Sequence, residues 1–229
     1  MVGLMFKAVL FDFDSTLVDY RYGDHLAIDE IRKKVCSYFN SNDFYEKSKE
    51  ILYKIYENPR PSEADVNELR IKNLLQELEL NYEKHHIKEY YRIYLNTVLV
   101  YEGVHEFFKS IIGKTKTGLL TNSIDSHNQR KRIEVSKLGS YFDEIGIANE
   151  IGYWKPDIES FSWLAKRLHV RNTECIFIGD NEENDIKGAS NAGMYTIKRN
   201  REDKPKETTI ANRTFDTFNE LTSIIGEIL

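Results

Sequence analysis

Two periodicities divide this chain. It opens on a nearly unbroken apolar run, Phe6-Lys7-Ala8-Val9-Leu10, which reads as a strand buried on both faces. From about residue 19 to residue 101 the pattern is helical instead, dense in Lys, Glu, Tyr and Leu. There Ile71, Leu74, Leu75 and Leu78 recur at helical spacing, and Ser62-Glu63-Ala64-Asp65 after Pro61 has the form of a capping box. Further helices are predicted near residues 24–39, 42–57 and 84–98.

From Glu102 onward, short apolar runs alternate with helical stretches. Strands are predicted at 117–121, 144–148, 175–179 and 194–197, and helices near 126–138 and 157–168. A last helix is expected to end at Gly193, a natural residue for a helix terminus. Such alternation implies right-handed crossovers and a parallel sheet covered on both faces. The opening strand belongs with this set, so the helical stretch reads as an insertion. The expected fold is α/β, a doubly wound parallel sheet formed by residues 1–18 and 102–229, with a small all-helical domain at 19–101. The polar run 200–209 reads as a surface loop.

Composition narrows the function classes. At 229 residues with 41% hydrophobic and 30% charged content, the chain can bury a sizeable core. A net charge of −5 offers no basic footprint, so nucleic acid is not an expected partner. The apolar start, Met1 to Met5, is too short for a signal peptide or a membrane span, and no membrane association is expected. Cys36 and Cys175 make no C-x-x-C pair or disulfide framework, which favours a reducing, cytoplasmic setting. Cys175 lies inside an apolar run and reads as a core residue.

The polar residues that interrupt this pattern fall at strand ends, where open α/β sheets bind ligands. Asp12 and Asp14 follow the first strand, Thr121-Asn122-Ser123 another, and Gly179-Asp180 a third; Lys155, before Pro156, follows the remaining one. Each alone has an ordinary reading, as a helix cap, a solvated lysine or a polar turn leading to Asp185. Four together point to one site. Buried carboxylates need a counter-charge. Asp12 and Asp14, two apart on a strand, are expected to share a face and converge with Asp180 on a cation. Mg²⁺ prefers such hard oxygen ligands. A hydroxyl, backbone N–H groups and a lysine opposite would suit phosphate oxygens. A carboxylate beside phosphate is a candidate nucleophile, and a second one can carry the proton.

Taken in order, Asp12-Phe13-Asp14-Ser15-Thr16, Thr121-Asn122, Lys155-Pro156-Asp157 and Gly179-Asp180 through Asp185 resemble the four motifs of the haloacid dehalogenase superfamily, in its phosphatase branch with a helical cap after the first motif. Ser15 stands where many members carry glycine, and in Tyr101-Glu102-Gly103-Val104 the glycine is preceded by Glu102 where a proline is common. The resemblance implies a Rossmann-like core and an aspartyl-phosphate mechanism: Asp12 as nucleophile, Asp14 as acid and base, and Lys155 balancing charge on Asp12 and phosphate. It implies phosphate binding by Thr121, Asn122 and Lys155. Mg²⁺ would be held by the Asp12 carboxylate, the Asp14 carbonyl and Asp180, with Asp185 in support. The expected partner is a small phosphate ester, and the expected state a monomer or homodimer.

Three alternatives follow from the same motifs. A phosphomutase shares the covalent step and differs in the acceptor, so isomerised product instead of free phosphate would reveal it. A dehalogenase would lack the second aspartate, which Asp14 and Asp180 oppose. A non-catalytic binding protein is opposed by four intact motifs. In the helical stretch, Tyr20, Arg21, Tyr22 and His25 follow the first motif but read as hinge or surface residues, and the Tyr90-Tyr91-Arg92-Ile93-Tyr94 run as core. His85 and His86, adjacent on a helix, are expected to point apart, which disfavours a metal site there.

Overall fold

The computed structural model describes residues 6–57, 65–201 and 208–229. Contacts divide the chain into one unit of Met1–Asp19 with Leu99–Leu229 and a second of Tyr20–Val98. β1 (Ala8–Phe11) is buried throughout. β2 (Val18–Asp19) pairs antiparallel with β3 (Leu99–Val100), a two-stranded ribbon from which the second unit leaves and to which it returns.

The second unit holds α1 (Tyr20–Val35), α2 (Ser41–Glu57), α3 (Val66–Glu77) and α4 (Lys84–Tyr94). Its core gathers Ala27, Ile28, Ile31, Phe44, Ile71, Leu74, Leu75 and Ile87. Asp65 caps α3 by accepting from the Asn67 and Glu68 amides at 2.9 and 3.0 Å; the rest of the predicted capping box lies outside the described residues. A buried ion pair crosses this core. The Arg70 guanidinium meets both oxygens of Asp24 at 3.0 and 3.1 Å and Ser48 at 2.7 Å, and Tyr90 donates to Asp24 at 2.7 Å. His85 and His86 do not point apart as expected. Their rings lie 4.1 Å apart, because His86 folds back over the first turn of α4 to accept the Glu83 amide at 3.0 Å.

The first unit resumes with α5 (Val104–Ile111), β4 (Lys116–Thr121), α6 (Ser126–Ser136), β5 (Glu144–Ile147), α7 (Ala148–Ile151) and α8 (Ile158–Arg167). β6 (Cys175–Gly179), a π-helical turn over Glu182–Lys187, α9 (Gly188–Asn191), β7 (Tyr195–Arg199), β8 (Arg213–Phe215) and α10 (Phe218–Ile228) complete it. The six-stranded sheet runs β5-β4-β1-β6-β7-β8, parallel at every pairing. This is the α/β, doubly wound architecture expected from the alternating pattern. The period of two sorts β1: Ala8 and Leu10 join the core of Phe161, Leu164 and Phe177, while Phe11 packs on Phe107, Phe108 and Phe142 on the opposite face.

Two elements differ from expectation. β7 runs on through Lys198 and Arg199, charges that suggest a strand end but are buried against partners. The helix expected up to Gly193 begins as a π-helical turn. Part of the 200–209 run, residues 202–207, lies outside the described residues. Among the described residues no helix is long and apolar enough to cross a membrane.

Candidate active site

Register builds the site. Phe11 lies level with Leu119 of β4 and Ile178 of β6, so the ends of these strands bring Asp12, Thr121 and Asp180 to one edge. Asp12 still belongs to the ladder, its amide donating to Ile178 O at 2.9 Å. One carboxylate oxygen receives Lys155 Nζ at 2.6 Å, and the other the Thr16 hydroxyl at 2.9 Å. Beyond Asp12 the chain turns. Ser15 takes φ +65°, a left-handed conformation that suits the glycine common at this position in related motifs. The Arg199 guanidinium bonds the Ser15 carbonyl at 2.7 Å and stacks over the Tyr101 ring at 3.7 Å, tying this turn to β7.

The turn carries the Asp14 carboxylate away from the carboxylate cluster. Strand alternation holds only within a strand, and β1 stops at Phe11. The carboxylates that gather are Asp12, Asp180 and Asp185, with oxygens within 4.8 Å of one another, and the expected convergence of Asp14 with Asp12 and Asp180 is corrected accordingly. Asp14 instead faces α6. Arg132 Nη1 donates to one Asp14 oxygen at 2.9 Å while Nη2 sits in ion-pair contact 2.7 Å from the other, and Gln129 Nε2 donates to the first oxygen at 3.0 Å.

Lys155 is 5% exposed and bridges two acids, reaching Asp185 at 2.7 Å as well as Asp12. Its loop is held by the Asn122 side chain, which donates to the Lys155 carbonyl and accepts its amide, both at 2.9 Å. The Asn122 amide is thus a brace, leaving its backbone N–H as the group that could reach a ligand. Asp185 sits in the π-helical turn and accepts the Asn181 amide at 3.0 Å. Such turns recur at functional sites because they re-aim side chains. Gly179 permits it: a Cβ there would come within 2.4 Å of the Asp185 side chain. Asp180 has Arg201 at 3.3 Å.

The electrostatics are those of a site short of positive charge. Burial pushes Asp12 up to about 8; Lys155 opposes this, and Asp185 and Asp180 reinforce it. Burial, then Asp185, push Asp180 up to about 6 against Arg201. Burial alone would lower the Lys155 ammonium, but Asp12 and Asp185 outweigh it and hold its pKa above the usual lysine value. The Lys155 ammonium and the Arg201 guanidinium leave one negative charge of the three carboxylates unbalanced, and the donor set is the hard oxygen type that suits Mg²⁺. The residues present therefore fit a divalent cation.

A pH prediction follows. Both carboxylates have folded pKa values raised above the unfolded value of 3.8, so the folded state binds more protons than the unfolded one. Stability in chelator should fall as pH rises through about 6 and then about 8. Mg²⁺, competing with those protons, should raise the melting temperature more at the alkaline end than near pH 5. Thermal melts across this range check it, and a Mg²⁺ effect independent of pH would contradict it.

The model of the haloacid dehalogenase-like hydrolase family matches residues 6–193. The chain belongs to that family. It is 26% identical over 205 residues to the HAD-hydrolase YfnB of Bacillus subtilis, covering 87% of this chain and 86% of the relative. The crystal structure of YfnB bound to magnesium superposes with a TM-score of 0.82 at 25% identity, covering 96% of this chain and 99% of the other. The pyrimidine 5'-nucleotidase PynA of Streptococcus pneumoniae is 25% identical over 221 residues, 94% of this chain and 92% of that one. A glyceraldehyde 3-phosphate phosphatase of Methanocaldococcus jannaschii is 23% identical over 227 residues, 98% and 99% of the two chains.

This member of the haloacid dehalogenase-like hydrolases carries polar residues at its site that sequence reasoning did not single out. Thr16 belongs to the first motif, and its hydroxyl orients Asp12. Arg199 hides at the end of a strand, and Gln129 and Arg132 lie in the charged run Gln129-Arg130-Lys131-Arg132. Helical spacing supplies the missed signal. Gln129 and Arg132 are three apart on one face, which is buried, while Arg130 between them is exposed.

Proposed function

We propose that this hydrolase is a Mg²⁺-dependent phosphatase of small phosphate monoesters, acting through an aspartyl-phosphate on Asp12. The observation that carries the reading is Asp12 itself: a carboxylate at a strand end, gripped by Lys155 and Thr16, with Asp180 and Asp185 beside it. An anion can attack an anionic phosphate only where positive charge offsets their repulsion. Lys155 offers one such charge at 2.6 Å. Asp12, Asp180 and the Asp14 carbonyl would hold Mg²⁺, with Asp185 behind them, and the bound cation would polarise a phosphoryl oxygen and offset further charge.

The chain's own groups then divide the work. An Asp12 oxygen attacks phosphorus, forming the O–P bond as the bond to the leaving oxygen breaks. Asp14 gives that oxygen its proton. Asp14 next takes a proton from water, which attacks phosphorus, releases phosphate and frees Asp12. The Thr121 hydroxyl and the Asn122 backbone N–H hold phosphate oxygens throughout. The Tyr20–Val98 unit is the proposed cap that excludes water and selects the substrate. The relatives named for a 5'-nucleotide and for glyceraldehyde 3-phosphate support a phosphate monoester as substrate.

The test is phosphate release from p-nitrophenyl phosphate and a panel of small phosphate esters, in Mg²⁺ and in chelator. Release that needs Mg²⁺ is expected; equal rates in chelator would remove the metal, and no release from any ester would remove the phosphatase. Asp14→Asn should slow hydrolysis of an alkyl phosphate by roughly 10²- to 10⁴-fold, the range for a positioned acid or base. Full activity of that variant on an ester with a poor leaving group would take the proton-transfer role from Asp14.

A further inference from the structure

The groups on α6 are not explained by phosphate binding or by the metal. Arg132 is 3% exposed and Gln129 5%, too enclosed to meet a substrate directly. Their polar atoms are spent on the site from behind. One Arg132 N–H donates to an Asp14 oxygen at 2.9 Å and the other terminal nitrogen lies in ion-pair contact 2.7 Å from the second oxygen, so the planar guanidinium fork spans the carboxylate and restrains its plane. The guanidinium also lies 5.5 Å from the Phe13 ring, so the fork is seated on a residue between the two motif acids. Gln129 Oε1 accepts from Arg132 at 3.2 Å, and its Nε2 donates to Asp14 at 3.0 Å and to Thr121 Oγ1 at 3.1 Å. These partners settle the amide orientation, because the Arg132 guanidinium has only donors and must face the amide oxygen.

That orientation has a consequence for Thr121. A hydroxyl that receives an N–H on its oxygen keeps its own proton to donate elsewhere. The Thr121 hydroxyl is therefore prepared to donate to an incoming acceptor, which is what a phosphate oxygen requires. We infer that Gln129 and Arg132 are a positioning pair that links the proton-transfer carboxylate, Asp14, to the phosphate-binding hydroxyl, Thr121. Arg132 aims the carboxylate at the leaving oxygen; Gln129 ties that aim to the phosphate subsite, so that a bound phosphate and the acid reach alignment together. A carboxylate free to rotate would still be present but would spend little time in line, and misplacement of this kind costs rate more than binding.

This inference rests on the phosphatase reading, and leaving-group dependence separates the two. Turnover is measured with Mg²⁺ on p-nitrophenyl phosphate, whose leaving group needs little protonation, and on glycerol phosphate, whose alkoxide needs it fully. Arg132→Met should lower kcat on glycerol phosphate about 10-fold or more beyond its effect on p-nitrophenyl phosphate, a part of the range that the acid itself commands. Arg132→Lys, which keeps the charge but loses the fork, should recover part of that gap. Gln129→Leu should show a smaller gap and a raised KM for both esters, through the loss of Thr121 orientation. If Arg132→Met does not melt cooperatively, Arg132→Lys and Gln129→Leu give the same ratio. Equal losses on both esters in every folded variant would reduce the pair to a structural support and overturn the inference. A wild-type chain inactive on both esters and on every other ester of the panel would overturn the phosphatase reading and the inference with it.

Discussion

Asp12→Asn is expected to abolish turnover and leave the fold intact. Removing a covalent nucleophile costs on the order of 10⁶-fold in rate in enzymes whose groups act as a unit. The amide is a poor nucleophile and a weaker ligand for a cation, yet it has nearly the shape of the carboxylate. Its oxygen can still accept Lys155, and the Thr16 hydroxyl can rotate to accept the new N–H. Burial already penalises the charged form of Asp12, so a neutral replacement relieves that cost. In chelator at alkaline pH the variant should melt no lower than the wild type, while Mg²⁺ should raise its melting temperature less. Activity within ten-fold of the wild type, with the mass of the variant checked for deamidation, would show that some other group attacks phosphorus.

Lys155→Met should damage both activity and stability, and the two losses should respond differently to conditions. The lysine is the shared cation of Asp12 and Asp185, at 2.6 and 2.7 Å. Removing one partner of a buried pair leaves an uncompensated charge, and costs roughly 3–5 kcal/mol. Three buried carboxylates would then face one another with less positive charge between them. Acid should restore stability by protonating them, and Mg²⁺ should restore part of it by taking the lysine's electrostatic place. Activity should not return with either, because the lysine also offsets charge on the attacked phosphate; removing one such donor costs about 10²- to 10³-fold in kcat. Urea unfolding at two pH values, with and without Mg²⁺, reads the stability loss. A loss below about 1 kcal/mol, the level of an exposed pair, would mean that Lys155 is not the counter-charge of this cluster.

The parts of the fold that were legible in the sequence are those where burial is complete. β1 and β6 are continuous apolar runs and β4 is buried from Thr117 to Thr121 around Leu119 and Leu120, and each leads into a polar residue that the sheet carries to one edge. Asp12, Thr121 and Asp180 stand out for that reason. What escaped depends on local geometry. The direction of Asp14 depends on where β1 stops and on the left-handed Ser15, neither of which a period of two can express. Arg132 and Gln129 sit in a polar run beside the exposed Arg130, so only their three-residue spacing marks the buried face of α6. β7 extends beyond the predicted 194–197 through Lys198 and Arg199, whose charges are buried, Lys198 against Glu182 at 2.9 Å and Arg199 against Ser15 and Tyr101. β8 has three residues with only Phe215 buried, too little pattern to detect. α10 does carry a signal, the Thr217 and Glu220 capping pair, which a search for strand–helix alternation passes over.

Acid-quenched intact mass of the Asp14→Asn variant, turning over p-nitrophenyl phosphate with Mg²⁺, gives the decisive reading. Nitrophenolate leaves without a proton, so phosphorylation of Asp12 proceeds, whereas water activation is lost and the intermediate accumulates. One added phosphoryl group per chain is expected, mapped by peptide fragmentation to Asp12 and absent in chelator. A phosphoryl group on any other residue, or nitrophenolate release by the variant with Asp12 unmodified throughout, would contradict covalent catalysis by Asp12.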